Sequence, residues 1–256
     1  MKKPTMKSAA IFAVSAFLTA STVEAQYTEV DISAQVTANL QQYTFGTEYQ
    51  LGGSQLNVAG VPFALALAPT DGPSTGIVQS PVTSFASGTA NGYATGAFDY
   101  TFEVPAGTEA TTLYSLANTA WGMAGDDEGS IVVTGTRGET VALDLVEGVN
   151  IRDHYNGSYV NTLSDSTVVS TYFTGGAPTE SGDVRLDRQE LVLPSSFDGD
   201  TIATIDFEGY ANGSYDGGSA FLAALTLADV PDGGLTVALL GGALVGLQVL
   251  RRKLFV

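Results

Sequence analysis

The chain has 256 residues, with ten lysines and arginines against 27 acidic residues, a net charge of −17 and no cysteine. So acidic a surface repels nucleic acid and has no basic stripe to track phosphates, which sets nucleic-acid binding aside. The missing thiols exclude a disulfide framework and a thiolate metal site.

In chain order, Lys2, Lys3 and Lys7 precede an apolar run from Ser8 to Ala20, and Val23-Glu24-Ala25 puts small residues at the −3 and −1 positions before Gln26. This is the three-part pattern of a secretory signal over 1–25, with a helical apolar core and cleavage between Ala25 and Gln26. Residues 26–229 then have the length of roughly one domain. Their basic side chains, His154 aside, are Arg137, Arg152, Arg185 and Arg188, against 25 acidic residues, a net charge of −21. A domain of this length buries about 70% of its unfolded surface, enough to hold together without staples.

Within the domain, apolar residues recur at period two. In Ala97 to Val104, Phe98, Tyr100, Phe102 and Val104 oppose Asp99, Thr101 and Glu103. In Thr140 to Val146, Val141, Leu143 and Leu145 point one way, and in Ser219 to Ala228 Phe221, Ala223, Leu225 and Leu227 share a face. Period two with β-branched and aromatic residues is the strand signature. Asn156-Gly157 and Asn212-Gly213 are two-residue hairpin signals. Many short strands without helical periodicity predict an all-β domain, a two-sheet antiparallel sandwich of jelly-roll type, flanked by the signal helix and a C-terminal transmembrane helix.

That last helix covers 235–250, where only Thr236 and Gln248 are polar. It would be about 24 Å long against a hydrocarbon core of about 30 Å, a span that thinning and snorkelling allow. Arg251, Arg252 and Lys253 form a basic stop, which the positive-inside rule assigns to the cytoplasm, leaving the domain outside.

The segment 230–256 has a recognisable order: Val230-Pro231-Asp232-Gly233-Gly234, an apolar span, then Arg251-Arg252-Lys253. It resembles the C-terminal sorting tails called PEP-CTERM, in their VPDSG-type variant, with Gly233 where the variant has Ser. The resemblance implies a bacterial surface protein processed near Val230-Pro231-Asp232 by a membrane enzyme of the exosortase type, its tail helix a transient inner-membrane anchor. It also implies a setting of exopolysaccharide production. Four blocks of the domain, Gly60 to Phe63, Leu113 to Gly125, Gly148 to His154 and Val184 to Phe197, resemble a domain common among such sorted proteins. They are also similar to galactose-binding-like jelly rolls of the NPCBM type. That likeness implies a carbohydrate site in the loops.

Gly72-Pro73-Ser74-Thr75-Gly76 matches a nucleophile elbow, but no helical pattern follows it, so it reads as a loop. His154, the only histidine, lacks partners for a triad or a zinc site and reads as a packed residue near a hairpin. Sugar recognition needs an aromatic face and planar polar groups. Trp121, Arg152, Asp153 and Tyr155 are the candidates, with core or hairpin packing as the alternative reading. Asp126, Asp127 and Glu128, followed by Gly129, offer hard oxygens for a weak calcium site, though without EF-hand spacing, and a solvated acidic turn explains them as well. Asp198-Gly199-Asp200 is a second such cluster. Arg185 and Arg188, close to Asp187 and Glu190, read as ion-paired strand residues.

The expectation is an exported cell-surface or matrix protein without catalysis and without a cofactor beyond that calcium. Its expected role is structural or adhesive in an extracellular polysaccharide layer. A carbohydrate-binding module with a defined glycan is the alternative, and a surface hydrolase using two carboxylates is third.

Overall fold

The computed structural model describes residues 25–40, 52–68, 75–79, 96–155, 160–173, 184–211 and 219–229. The expected signal helix, the tail at 230–256, both Asn-Gly turns and Gly72-Pro73-Ser74 lie outside the described residues. No helix among the described residues is long and apolar enough to cross a membrane.

The described chain is built of antiparallel strands. They are β1 (Gln26–Val30), β2 (Ala38–Asn39), β3 (Gln55–Val58), β4 (Val61–Ala64), β5 (Gly76–Gln79), β6 (Gly96–Glu103), β7 (Thr112–Thr119), β8 (Asp127–Gly135), β9 (Thr140–Val146), β10 (Val169–Phe173), β11 (Val184–Val192), β12 (Ile202–Ala211) and β13 (Ala220–Asp229). One sheet runs β10-β11-β7-β13-β5-β2, and β1 also pairs with β13, Gln26 opposite Asp229. A four-stranded sheet runs β6-β12-β8-β9, and β3 and β4 form a separate hairpin.

Two apolar cores follow from these layers. Between the large sheet and the four-stranded sheet lie Val30, Leu113, Ala117, Leu222, Leu225 and Leu227 from one side, and Phe102, Ile131, Val133, Leu145, Ile205 and Phe207 from the other. The opposite face of the large sheet is covered by Leu56, Val58, Val61 and Phe63 of the hairpin, packed with Leu116, Val184, Leu186 and Phe221. The large sheet is therefore buried on both faces, and β13 is buried along nearly its whole length.

The alternation in β6 is as the sequence predicts: Phe102 and Val104 are buried and Phe98 and Tyr100 half-buried, while Asp99, Thr101 and Glu103 are exposed. In β9, Leu145 is buried in line with the half-buried Val141 and Leu143. The strand β13 departs from expectation. Its register against β7 shifts between Leu222 and Ala224. This bulge sends Phe221 and Ala223 to the hairpin side and Leu225 and Leu227 to the inter-sheet side, so the four residues do not share a face.

Candidate functional site

β7 and β11 pair over Thr112 to Leu116 and Arg188 to Val192, and beyond that stretch a third segment comes between them. Residues 151–155 fill the gap. Thr119 N–H donates to the Arg152 carbonyl, His154 N–H to the Thr119 carbonyl, and Arg185 N–H to the His154 carbonyl, each at 2.9 Å. Buried peptide groups require partners, and this wedge supplies them to two strands that have separated. The turn leading into it is closed by Asn150, whose amide donates to the Asp144 carbonyl at 2.7 Å while its Oδ1 accepts from Val146 N–H at 2.9 Å.

The wedge carries its charged side chains inward. Arg152 is 9% exposed and donates through Nε to Asp187 Oδ2 at 2.8 Å and through Nη2 to Asp187 Oδ1 at 3.2 Å. It also donates to Ser170 Oγ at 2.6 Å and to the Asn161 carbonyl. Asp187 is fully buried and also accepts from Asn118 Nδ2 at 3.0 Å. Arg185, expected as an ion-paired residue, is buried, and its guanidinium donates to the Asp153 carbonyl at 2.8 Å and to Asn161 Oδ1 at 2.7 Å, neutral oxygens both. Arg188 lies 3.5 Å from Glu190 and 4.8 Å above the Tyr114 ring. His154 meets Phe221 edge to face at 5.7 Å, and burial pushes its pKa down to about 3. A ring held neutral in this way is far from the basicity a general base needs.

Beside the wedge lies a cluster of carboxyl groups. The register of β8 against β9 shifts between Asp127 and Gly129, so Glu128 is the extra residue of a β-bulge. Bulges re-aim side chains, and this one turns Glu128 into the interior, leaving Asp127 exposed with its Oδ1 accepting from Gly129 N–H. The expected grouping of Asp126, Asp127 and Glu128 is thus divided, and Glu128 instead faces Glu147. Glu147 is fully buried, its Oε2 accepting from Thr119 Oγ1 at 2.8 Å and its Oε1 from Asp153 N–H at 3.1 Å. Glu128 is 1% exposed, and neither of its carboxyl oxygens has a hydrogen-bond partner.

Burial dominates the electrostatics here. It raises the pKa of Glu128 to about 8, helped by Asp126 and Asp127, and that of Glu147 to about 9 despite the Thr119 hydrogen bond. Asp153 rises to about 7 for the same reason, against the pull of the Tyr155 and Trp121 amides. Gly122 has φ +141°, and a Cβ built on it would stand 3.0 Å from Glu147 Oε2 and 3.1 Å from Glu128 Oε1. The two carboxyl groups face one spot that only a glycine leaves open. Among the described residues, no three His, Cys, Asp or Glu side chains are grouped to hold a metal ion.

Of the four sugar candidates, Arg152 and Asp153 are buried and bonded within the protein, whereas Trp121 and Tyr155 reach the surface. The structure does bring these two together. Asp153 Oδ2 accepts from Trp121 N–H and Oδ1 from Tyr155 N–H, both at 2.6 Å. Trp121 itself has φ +63°, at the bend that follows β7. In the second acidic cluster Asp198 is exposed and Asp200 buried, where Asp200 accepts from Thr136 Oγ1 at 2.6 Å and lies 3.4 Å from Arg137. A hollow of about 270 Å³ is lined by Glu29, Asp31, Ile32 and Ala64 to Ala66, among others. Its Asp31 carboxyl is held below its usual range by hydrogen bonds from Ser33, the opposite of what a general acid requires.

Sequence reasoning missed Glu147, Asp187 and Asn118 as members of this network. The available signal was the run Val184 to Asp187, in which Arg185 and Asp187 alternate with Val184 and Leu186 in a strand buried from Val184 to Gln189. Compared with known proteins, the chain matches no family model, no curated protein and no solved structure.

Proposed function

We propose that this is an exported surface or matrix protein, a two-sheet sandwich of jelly-roll type without catalysis of its own. Its role in this reading is structural or adhesive within an extracellular polysaccharide layer, and its tail is removed by an exosortase-type enzyme. One observation in the domain carries the non-catalytic reading. The side chains best suited to chemistry, Arg152, Asp153, His154, Arg185 and Asp187, are turned inward, and those of Arg152, Asp153, Arg185 and Asp187 are bonded within the region where β7, β11 and the wedge meet. The acidic domain and the two terminal patterns support the rest. Mass spectrometry of the protein from cell and medium fractions tests it. A mature chain beginning at Gln26 and ending near Val230 to Asp232 is expected, and a chain still ending at Val256 would sink the sorting reading.

A second reading is favoured by the hydrogen bonds of the Trp121 and Tyr155 amides to the one Asp153 carboxylate, which bring the backbones of two surface-reaching aromatic residues close together. Such a pair suits the C–H face of a pyranose. In that case polysaccharide fractions would shift the fluorescence of Trp121, the only tryptophan, and Tyr155→Ala would abolish the shift.

A further inference from the structure

We infer that Glu128 and Glu147 form a binding site for a hard divalent cation of the calcium class, seated over Gly122. The inference stands on three features of the structure and does not depend on the role proposed above.

The first feature is the unpartnered carboxylate. Glu128 is 1% exposed and has no donor on either oxygen. Buried polar groups are otherwise almost always bonded, and a buried carboxylate without a partner is costly. The β-bulge that aims Glu128 inward makes its position a built feature of β8, as bulges beside functional sites commonly are.

The second is convergence. One carboxyl oxygen each of Glu128 and Glu147 lies 3.1 Å and 3.0 Å from the point where a Cβ on Gly122 would stand, so the two carboxyl groups meet over the bare Cα of this glycine. Calcium–oxygen contacts are about 2.3–2.6 Å, so an ion set between the two carboxyl groups and clear of the Gly122 Cα would be reached by one oxygen of each after small movements of both side chains. Thr119 Oγ1 already orients Glu147 Oε2 toward this spot, as an outer hydrogen bond to a ligand does. Since two carboxylates converge and not three, main-chain and water oxygens would complete the shell, which the flexible coordination of calcium accepts.

The third is charge. The buried network holds four carboxylates, Glu128, Glu147, Asp153 and Asp187, against two guanidinium groups, Arg152 and Arg185. Arg152 is matched by Asp187. With every group ionised two negative charges remain in excess, the charge of one divalent cation. An all-oxygen site selects calcium, magnesium or manganese over the softer metals, and a shell completed by main-chain and water oxygens suits the flexible coordination of calcium better than the near-ideal octahedron magnesium demands.

The test uses the full chain, stripped with a chelator, and Tb³⁺ as a luminescent stand-in for Ca²⁺. Trp121, next to Gly122, is the only tryptophan and the natural sensitiser. One Tb³⁺ per chain is expected, displaced by Ca²⁺. Calcium at a hundredfold excess over its Kd should raise Tm by about 5 °C or more. Glu128→Gln and Glu147→Gln, which keep side-chain shape, should each weaken binding at least tenfold, whereas Asp127→Asn on the exposed side of the bulge should leave it within about twofold. Circular dichroism of the stripped variants separates lost binding from lost folding. The inference is overturned if neither ion binds at millimolar concentration, or if Asp127→Asn abolishes binding and Glu128→Gln does not.

Discussion

Replacing Asp187 with alanine tests whether the buried ion pair holds the wedge between β7 and β11. Asp187 is fully buried and accepts three hydrogen bonds, from Arg152 Nε at 2.8 Å, Arg152 Nη2 at 3.2 Å and Asn118 Nδ2 at 3.0 Å. Its removal leaves a guanidinium that is only 9% exposed without its carboxylate. Truncating one member of such a pair costs about 3–5 kcal/mol, because the surviving charge stays buried and uncompensated. At about 2–4 °C per kcal/mol for a domain of this size, Tm should fall by about 6–20 °C. Urea denaturation followed by far-UV circular dichroism measures the free energy directly. Asp187→Asn, which keeps shape and one acceptor oxygen, should cost less than the alanine. Arg152→Met combined with Asp187→Leu should recover part of the loss, since no charge is then stranded. A cost below about 1 kcal/mol for Asp187→Ala, the size of an exposed ion pair, would refute the argument.

Two further outcomes are expected. Gly129 has φ +139°, and a Cβ there would lie 2.1 Å from the Glu208 carbonyl oxygen of the neighbouring strand; Gly129→Ala should therefore cost about 2–4 kcal/mol by urea denaturation, and wild-type stability would mean that β8 and β12 do not meet in this register. His154 has its pKa lowered by burial from 6.5 to about 3, so the unfolded chain binds the proton more readily. Its contribution is complete above pH 6.5 and is lost progressively as pH falls toward 3, by up to about 5 kcal/mol. The urea midpoint of His154→Phe should accordingly fall less between pH 7 and pH 4 than that of the wild type, and parallel profiles would show that the histidine titrates normally.

How much of this was legible in the sequence depends on the neighbours each strand acquired. β6 and β9 have one face toward the inter-sheet core, so their alternation was visible and correct. β13 is covered on both faces, by the four-stranded sheet and by the β3–β4 hairpin, and two-sided burial erases the period-two signal. The two bulges were invisible for another reason: each adds one residue and reverses the faces beyond it without changing composition. At β8 this moved Glu128 from an exposed acidic turn to the interior. At β13 it separated Phe221 from Leu225. Likewise Arg185 reads from the sequence as an ion-paired strand residue, because nothing local announces that residues 151–155 will come to lie beside it and Asp187. That Asp153 accepts from the amides of both Trp121 and Tyr155 was not legible either, because Trp121 is 32 positions away in the chain.

The placement of β13 has a consequence for how the chain reaches its native state. It is the central member of the large sheet, paired with β7 on one edge and with β1 and β5 on the other, yet it is formed by residues 220–229. A chain interrupted before residue 220 would present β7, β5 and β1 with unpaired edges and an apolar face on either side. Such edges recruit other chains. Folding must wait for nearly the whole sequence, and pairings so distant along the chain close slowly. A late-arriving keystone thus makes this domain dependent on whatever keeps its earlier strands apart until residue 229 has emerged.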